Sequence, residues 1–196
     1  DCGPRYTIID ALRSDRPHTT MRDFEMCERC LIEYKDPRNR RFHAQTVACS
    51  DCGPSVALLT RDGRRSNSAD PIREAGRLLE RGYILAIKGN GGFHLASSTA
   101  LSEPIIELRK TKFRLQKPLA VMARDLDATR SFAEVTSAEA KLMNSYVRPI
   151  VLLRKRSDFD LSEQIAPGLH NIGVMLPYTG LHSMLFDETS ERAFVM

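Results

Sequence analysis

Cysteine is the residue type whose spacing in this sequence first points to chemistry. Four of the five cysteines form two Cys-x2-Cys pairs, Cys27 with Cys30 and Cys49 with Cys52, separated by 18 residues. A Cys-x2-Cys turn directs two thiolates at one metal ion, and two such pairs complete a tetrahedral site for Zn²⁺. Because four thiolates leave no position for water, this zinc site is predicted to be structural.

Neighbouring residues and one alternative qualify this interpretation. The four thiols could instead form two disulfides, which requires an oxidising compartment, and the sequence shows no export signal. His43 lies between the pairs and is a further candidate ligand or ligand partner, although such histidines more often pack or lie on the surface. Gly53 follows the last cysteine, where a knuckle turn needs a residue that tolerates positive φ.

The fifth cysteine, Cys2, lies in a repeated tetrapeptide. Asp-Cys-Gly-Pro occurs at residues 1–4 and again at residues 51–54. Because Cys52 is the predicted last ligand of one module, Cys2 is interpreted as the orphan last ligand of a truncated preceding copy. Residues 1–58 are therefore predicted to hold the end of a first zinc ribbon or knuckle and a complete second one. A free surface cysteine beside a chance repeat is the alternative.

Two later segments combine glycine or basic residues with predicted strands. The turn at residues 88–92, Lys-Gly-Asn-Gly-Gly, lets backbone N–H groups approach an anion, and Lys88 adds a positive charge. Residues 109–118 carry five basic residues and can neutralise a polyphosphate. Each segment also has a plainer interpretation, as a tight structural turn or as a solvated helix end favoured by the helix dipole.

The elements that must position these segments alternate between helix and strand. Asp70 is the predicted cap of a helix that has Pro71 at its first position and ends at Gly82. Two further helices are predicted, one near residues 102–108 and one over 136–146 that opens with a capping box. Short apolar runs predict strands at residues 83–87, 119–122, 150–153, 172–176 and from 193 onward.

This alternation predicts an α/β domain with a mixed sheet over residues 70–196, joined to the cysteine module by a polar linker over residues 59–69. Hydrophobic residues make up 42% of the chain and charged residues 28%, which is typical of globular proteins. Apolar runs are short, so a cytoplasmic protein with no membrane partner is expected. The net charge of +4 suits an anionic ligand and, more weakly, a nucleic acid.

Several motifs then give the chain a family resemblance. Lys-Gly-x-Gly-Gly-Phe-His-Leu at 88–95, Lys-x-Arg-x-x-Lys-Pro-Leu-Ala-Val-Met at 112–122 and Leu-Pro-Tyr-Thr-x-Leu-His at 176–182 occur in this order. Together they resemble the YrdC-like domain of hydrogenase-maturation carbamoyltransferases of the HypF type. The segments at 2–9 and 40–49 resemble the paired zinc modules of the same family.

The resemblance implies a YrdC-like α/β fold with a twisted mixed sheet and an enzymatic function. Carbamoyl phosphate, as the source of carbamate, and ATP with Mg²⁺ would form a carbamoyl-adenylate. The carbamoyl group would then pass to a C-terminal cysteine of the partner protein HypE, toward the cyanide ligands of [NiFe]-hydrogenase. The resemblance also implies that the chain is an internal piece, with its YrdC-like domain incomplete at the C-terminal side and inactive alone.

The matching motifs also imply a set of functional residues. Lys112 and Arg114 are the expected catalytic pair, acting on the ATP phosphates and the acyl group. Substrate and nucleotide contacts are expected from the basic, glycine and aromatic residues of the same motifs: Lys88, Gly91, Gly92, Phe93, His94 and Lys117.

The chain departs from related patterns at three glycines. Gly89 and Gly91 stand where tRNA-modifying relatives carry threonine, which favours a smaller substrate such as carbamate. Gly180 stands where HypF-like proteins usually have proline, which predicts a looser loop there.

Two alternatives from other classes remain. A module that binds double-stranded RNA or tRNA would use a basic concave sheet face, but the small net charge and the lack of interleaved aromatics in the zinc segment disfavour it. Synthesis of threonylcarbamoyl-adenylate is opposed by the cysteines and by the missing threonines.

Overall fold

The computed structural model describes residues 15–89, 92–114 and 116–196, and it divides the chain into two compact units. The first unit extends from Asp1 to Ala57 and the second from Leu58 to Met196. Cys2, and with it the predicted remnant of a first zinc module, lies outside the described residues.

The described part of the first unit consists of turns, two short 3-10 segments and one α-helix, α1 (Glu28–Lys35). Its buried apolar residues are few, chiefly Met21 and Val47. A charged residue, Arg16, is buried among them and only 5% exposed. Its guanidinium donates to the carbonyl oxygens of Val47 at 2.6 Å, Phe24 at 2.7 Å and Gln45 at 2.8 Å. These bonds join separate turns and add to the stability that so small an apolar core can supply.

The second unit is built on a mixed sheet with the strand order β1-β2-β7-β3-β6-β5-β4 among the described residues. Strands β3 and β6 are parallel, and the other neighbours are antiparallel. The predicted mixed α/β sheet is therefore confirmed. Its strands are β1 Leu85–Lys88, β2 Phe93–Ser98, β3 Ala120–Ala123, β4 Ala133–Glu134, β5 Val151–Lys155, β6 Asn171–Met175 and β7 Ala193–Val195.

Helices cover both faces of this sheet and create two apolar clusters. Val121 points into a cluster that also contains residues of α3, α4 and α5, whereas its neighbour Met122 points into a cluster with residues of α2 and α6. This alternation follows from the period of two along a strand. The helices are α2 Pro71–Glu80, α3 Ser102–Thr111, α4 Leu126–Phe132, α5 Ser137–Met143 and α6 Gly180–Asp187.

Helix α2 begins and ends with the residues that the sequence predicts. The Asp70 side chain accepts a hydrogen bond from the Arg73 N–H at 3.0 Å, and Pro71 is the first helical residue. At the other end Gly82 has a φ of 86°, which glycine adopts without the steric cost that a side chain brings. The N–H groups of Gly82 and Tyr83 donate back to Leu79 and Leu78, which is the Schellman arrangement.

Several elements differ from the predictions. Strand β2 was not predicted as a strand, because its residues include two serines and lack an apolar alternation. It forms by pairing with β1 on one side and β7 on the other. Helix α5 opens with the predicted capping box but ends at Met143 rather than at residue 146. Helices α4 and α6 were not predicted. The expected linker contains a small hairpin in which Leu59 bridges Arg65.

Within the described ranges, no helix combines the length and the apolar composition needed to cross a bilayer.

The start of helix α6 offers a direct test of the loop around Gly180. Gly180 is the first helical residue, Thr179 before it is extended with φ −132° and ψ 155°, and a Cβ at Gly180 would meet no atom within 4 Å. Proline is favoured at this helical position and needs an extended predecessor. Gly180→Pro should therefore raise the free energy of unfolding by about 0.4–1 kcal/mol, measured by urea denaturation.

The control substitution is Gly82→Ala, at a backbone φ of 86°. It should lower the free energy of unfolding by roughly 1 kcal/mol, because an alanine side chain is strained in the left-handed region. A lower stability of Gly180→Pro than of wild type would contradict the geometry of the helix start.

Candidate functional site

The four predicted cysteine ligands converge in the first unit. Their Sγ atoms all lie within 4.8 Å of one another, with Cys49 Sγ 3.7 Å from that of Cys27 and 3.8 Å from that of Cys52. In a tetrahedral zinc tetrathiolate with Zn–S bonds of about 2.3 Å, the sulfur atoms are about 3.8 Å apart. The spacing of these sulfur atoms therefore fits a structural Zn²⁺ ion.

The thiols of this quartet have unequal environments. Burial raises the pKa of the Cys30 thiol to about 12, whereas the backbone N–H of Asp51, which donates to Cys49 Sγ, lowers the pKa of that thiol to about 6. Four thiolates in contact repel one another, and a divalent cation at their centre removes that repulsion. The electrostatics of the quartet therefore favour a bound cation.

The backbone around the cysteines is shaped for this approach. Cys27 caps helix α1, so that the positive end of the helix lies beside the sulfur atoms. Gly53 does not have the positive φ expected from the sequence. Glycine is required there for another reason, because a Cβ would lie 2.7 Å from the Ala48 Cβ and 2.8 Å from the Cys49 oxygen.

His43 packs against two aromatic side chains. Its ring centroid lies 4.9 Å from that of Tyr34 and 4.5 Å from that of Phe42. Among the described residues, the group that can hold a metal contains the four cysteines and not His43. The packing role considered for this histidine fits its position.

In the second unit, the glycine-rich turn joins β1 to β2. Lys88 and Phe93 form the strand pair next to the turn, and the Lys88 Nζ lies 4.8 Å from the centre of the Phe93 ring. The Gly89 N–H donates to the Gly92 oxygen at 2.7 Å. The structure thus brings together four residues of the first motif; Gly91, another predicted contact, lies outside the described residues.

His94 belongs to an aromatic cluster that connects this hairpin with helix α6. Its Nε2 lies 2.5 Å from the Tyr178 hydroxyl oxygen. The Tyr178 ring centroid lies 4.6 Å from that of His182, and the His94 and His182 centroids are 5.8 Å apart. The sequence analysis placed Tyr178 and His182 in a family motif but gave them no role in a site. The capacity of tyrosine and histidine side chains for hydrogen bonding was the one sequence feature that could have suggested such a role.

His182 is fully buried, and neither ring nitrogen has a hydrogen-bond partner among the described residues. Burial, and secondarily the charge of His94, lowers the pKa of His182 to about 4. The imidazole is therefore neutral at physiological pH and offers one donor and one acceptor.

The predicted catalytic residues lie in a basic loop after helix α3, described at residues 112–114 and 116–118. Arg109, only 4% exposed, holds this loop through its backbone. Its Nη1 donates to the oxygens of Arg114 at 2.8 Å and Lys117 at 3.1 Å, and its Nε and Nη2 donate to Gln164 at 2.7 Å and Ile165 at 3.0 Å. The shape of the loop is thus fixed by a buried guanidinium that sequence reasoning assigned only to a general basic cluster.

The two catalytic candidates flank a strained residue. Phe113 has a φ of 50° and a side chain that is 95% exposed, a conformation that costs about 1–3 kcal/mol for a residue other than glycine. Lys112 is exposed. Arg114 is half-buried, its Nη2 donates to the Pro118 oxygen at 3.1 Å, and its buried Nε has no partner in the described part of the chain.

The described residues of the hairpin and those of the basic loop do not contact each other through polar or ring interactions. Across residues 88–89 and 92–94, the hairpin has no hydrogen bond, ion pair or ring contact with Lys112, Arg114 or Lys117, so a shared site remains a prediction. A cavity of about 240 Å³ lies near the end of β2 opposite the hairpin. Its lining contains none of the predicted site residues: Thr99, Ala100, Leu161, Ser190, Glu191 and Arg192.

The fold and the cysteine site together define a YrdC-like α/β domain with a four-cysteine finger. The family model Sua5/YciO/YrdC, described as telomere recombination, matches residues 77–196, and the HypF finger model matches residues 26–59. The chain therefore belongs to the Sua5/YciO/YrdC family, in the HypF form that carries this finger.

Curated relatives agree with this assignment. The HypF carbamoyltransferase of Rhodobacter capsulatus is 46% identical over 186 residues, which are 95% of this chain and 24% of the relative. HypF2 of Cupriavidus necator is 49% identical over 192 residues, covering 97% of this chain and 24% of that protein. The resemblance inferred from the motifs is thus confirmed, and the chain spans about a quarter of the length of these two relatives.

Solved structures give the same result. HypF of T. kodakarensis superposes with a TM-score of 0.91 at 50% identity, over 99% of this chain and 25% of that one. Full-length HypF in its phosphate- and nucleotide-bound form gives 0.86 at 44% identity, over 100% of this chain and 25% of that one. P. abyssi Sua5 complexed with L-threonine gives 0.56 at 17% identity, over 64% of this chain and 38% of that one, which shows the shared fold alone.

The cysteine geometry predicts one tightly bound Zn²⁺ per chain. Cys52→Ser should release the metal, because it removes one of the four sulfur ligands, whereas Cys2→Ser should leave the metal content unchanged. Metal analysis of freshly purified, reduced protein should give close to one equivalent for wild type and for Cys2→Ser. Metal-free wild-type protein under these conditions would contradict the zinc assignment.

Proposed function

We propose that this chain forms part of a HypF-type carbamoyltransferase and that its second unit makes carbamoyl-adenylate from carbamate and ATP. Hydrolysis of carbamoyl phosphate by water supplies the carbamate and releases phosphate, and ATP enters with Mg²⁺. The carbamoyl group then passes to the C-terminal cysteine of HypE in the maturation of [NiFe]-hydrogenase. The carbamoyltransferase names of the relatives and the nucleotide-bound HypF structure support this proposal.

The observation that carries the proposal is the basic loop held by Arg109. The loop carbonyls of Arg114 and Lys117 accept hydrogen bonds from the buried Arg109 guanidinium. The side chain of Lys112 is exposed to solvent. Arg114 keeps a buried Nε–H without a partner among the described residues. A buried N–H group of this kind costs stability unless a ligand accepts its hydrogen bond. An anionic ligand such as a phosphate group fits this requirement.

The chemistry proposed for the loop follows from where charge develops. A carbamate oxygen forms a bond to the α-phosphorus of ATP while the bond to the pyrophosphate oxygen breaks. Negative charge therefore increases on the phosphate oxygens. The positive charges of Lys112 and Arg114, once they contact the phosphates, would stabilise that charge more in the transition state than in the ground state. Lys88 and the backbone of the hairpin would contribute further to binding the anionic substrate.

Synthesis of threonylcarbamoyl-adenylate is the less favoured function. Gly89 takes the place of a threonine in the motif of the tRNA-modifying relatives, and a Cβ there would lie 2.8 Å from the Tyr178 hydroxyl oxygen. The surroundings of Gly89 therefore leave no space for a threonine side chain at that position, which supports a different acyl substrate.

In the full-length protein, Lys112→Ala and Arg114→Ala should each lower the rate of carbamoyl-adenylate formation by about 10²–10³. Arg114→Lys should also be slow, because an ammonium group cannot reproduce a two-pronged contact with phosphate. The measurement is ATP–pyrophosphate exchange that depends on carbamoyl phosphate.

The matched control is Lys110→Ala, which removes an exposed lysine from the last turn of helix α3, just before the loop. It should leave the exchange rate unchanged. Circular dichroism and metal content report folding, and neither should change in any variant. Near-normal exchange in Lys112→Ala would mean that the loop is a solvated helix end.

A further inference from the structure

The aromatic cluster of His94, Tyr178 and His182 has features that apolar packing alone does not explain. His182 is fully buried, and both of its ring nitrogens lack hydrogen-bond partners among the described residues. A buried polar group without a partner destabilises a fold, and a leucine of similar volume would avoid that cost. An unsatisfied buried imidazole therefore needs an explanation, and a ligand that bonds it is one.

The cluster also lies directly against the glycine-rich hairpin. An added Cβ at Gly89 would lie 2.8 Å from the Tyr178 hydroxyl oxygen and 3.2 Å from Nε2 and Cδ2 of the His94 ring. The space beside the hairpin backbone is thus filled by two polar groups, which are joined by their own hydrogen bond. A substrate at the hairpin therefore meets a polar surface with little room beyond it.

We propose that His182, together with Tyr178 and His94, binds the carbamoyl group of the substrate beside the hairpin and limits its size. This inference rests on the proposed function. It assigns a substrate contact to helix α6, which positions His182 in its first turn, where the His182 N–H donates to the Thr179 side chain at 3.3 Å.

The hydrogen-bonding capacities of the two partners are complementary. A neutral imidazole has one N–H donor and one nitrogen acceptor. Because the two ring nitrogens point in divergent directions, a carbamoyl group bonds one of them: its oxygen accepts from the imidazole N–H, or its NH₂ group donates to the bare nitrogen. A bulkier acyl group would collide with the Tyr178 hydroxyl and the His94 ring.

The test separates substrate binding from packing by replacing His182 with leucine in the full-length protein. Leucine has a similar volume and no polar atom, so thermal stability should be unchanged or higher. The KM for carbamoyl phosphate in ATP–pyrophosphate exchange should nevertheless rise by about 5- to 150-fold, the usual range for a lost buried hydrogen bond. The KM for ATP should not change. His182→Gln, which keeps a donor and an acceptor, should retain more affinity than His182→Leu.

Tyr178→Phe provides an independent variant, because it removes the hydroxyl and keeps the ring. It should raise the KM for carbamoyl phosphate by about tenfold, again without an effect on ATP. Matched controls are the exposed residues of the same types, His170→Leu and Tyr146→Phe, which should leave both KM values unchanged.

The possible outcomes are distinct. If the KM for carbamoyl phosphate is unchanged in His182→Leu, the inference is overturned while the proposed function stands. If His182→Leu does not fold, an unchanged KM in Tyr178→Phe has the same meaning. A KM for ATP that rises in parallel also overturns it, because the cluster would then have a general structural role. Wild-type protein with no exchange that depends on carbamoyl phosphate overturns the proposed function, and the inference with it.

Discussion

The pairing of strand β7 with β2 on one side and β3 on the other holds the sheet of the second unit together. Phe194 lies opposite Ser98 in one pair and opposite Met122 in the other. The three residues of β7 are buried, and hydrogen bonds from the Met196 N–H to Ala120 and from the Thr99 hydroxyl to Ala193 extend the pairing at both ends. The β1–β2 hairpin reaches the rest of the sheet through this strand. The position of the hairpin relative to helix α6, and with it the aromatic cluster, therefore depends on β7.

The two units are stabilised by different physical means. The second unit buries two apolar clusters, one on each face of its sheet. In the first unit, the described residues bury few aliphatic side chains, and directional interactions replace them. The hydrogen bonds of Arg16 join three loop carbonyls, and the cysteine quartet is arranged for a cation. A small module of this kind gains much of its folding free energy from the metal.

Local patterns in the sequence were sufficient where a few neighbouring residues determine the structure. The Cys-x2-Cys spacing predicted the quartet, and Asp70, Pro71 and Gly82 predicted both ends of α2, because caps and knuckles act over one turn of chain. Strand β2 and helix α6 could not be found in this way. The strand has serines in place of an apolar alternation, and the helix begins with Gly180 rather than a strong helix former.

The roles of buried polar residues were also beyond the reach of sequence patterns. In the sequence, Arg16 and Arg109 cannot be distinguished from exposed basic residues. Their burial depends on the carbonyl groups that folding brings around them. His182 likewise acquires its neutral state and its unsatisfied nitrogens from the packing of α6 against the hairpin. The motif around it identified the family, but only the fold could show which side chains meet.

The way in which Arg109 holds the basic loop has a consequence for how this protein can evolve. Four hydrogen bonds of its guanidinium go to main-chain oxygens, which every residue type provides. Side chains along the loop can therefore be exchanged by mutation while the path of the backbone persists. Selection can therefore change exposed side chains of the loop one at a time and leave these backbone hydrogen bonds in place.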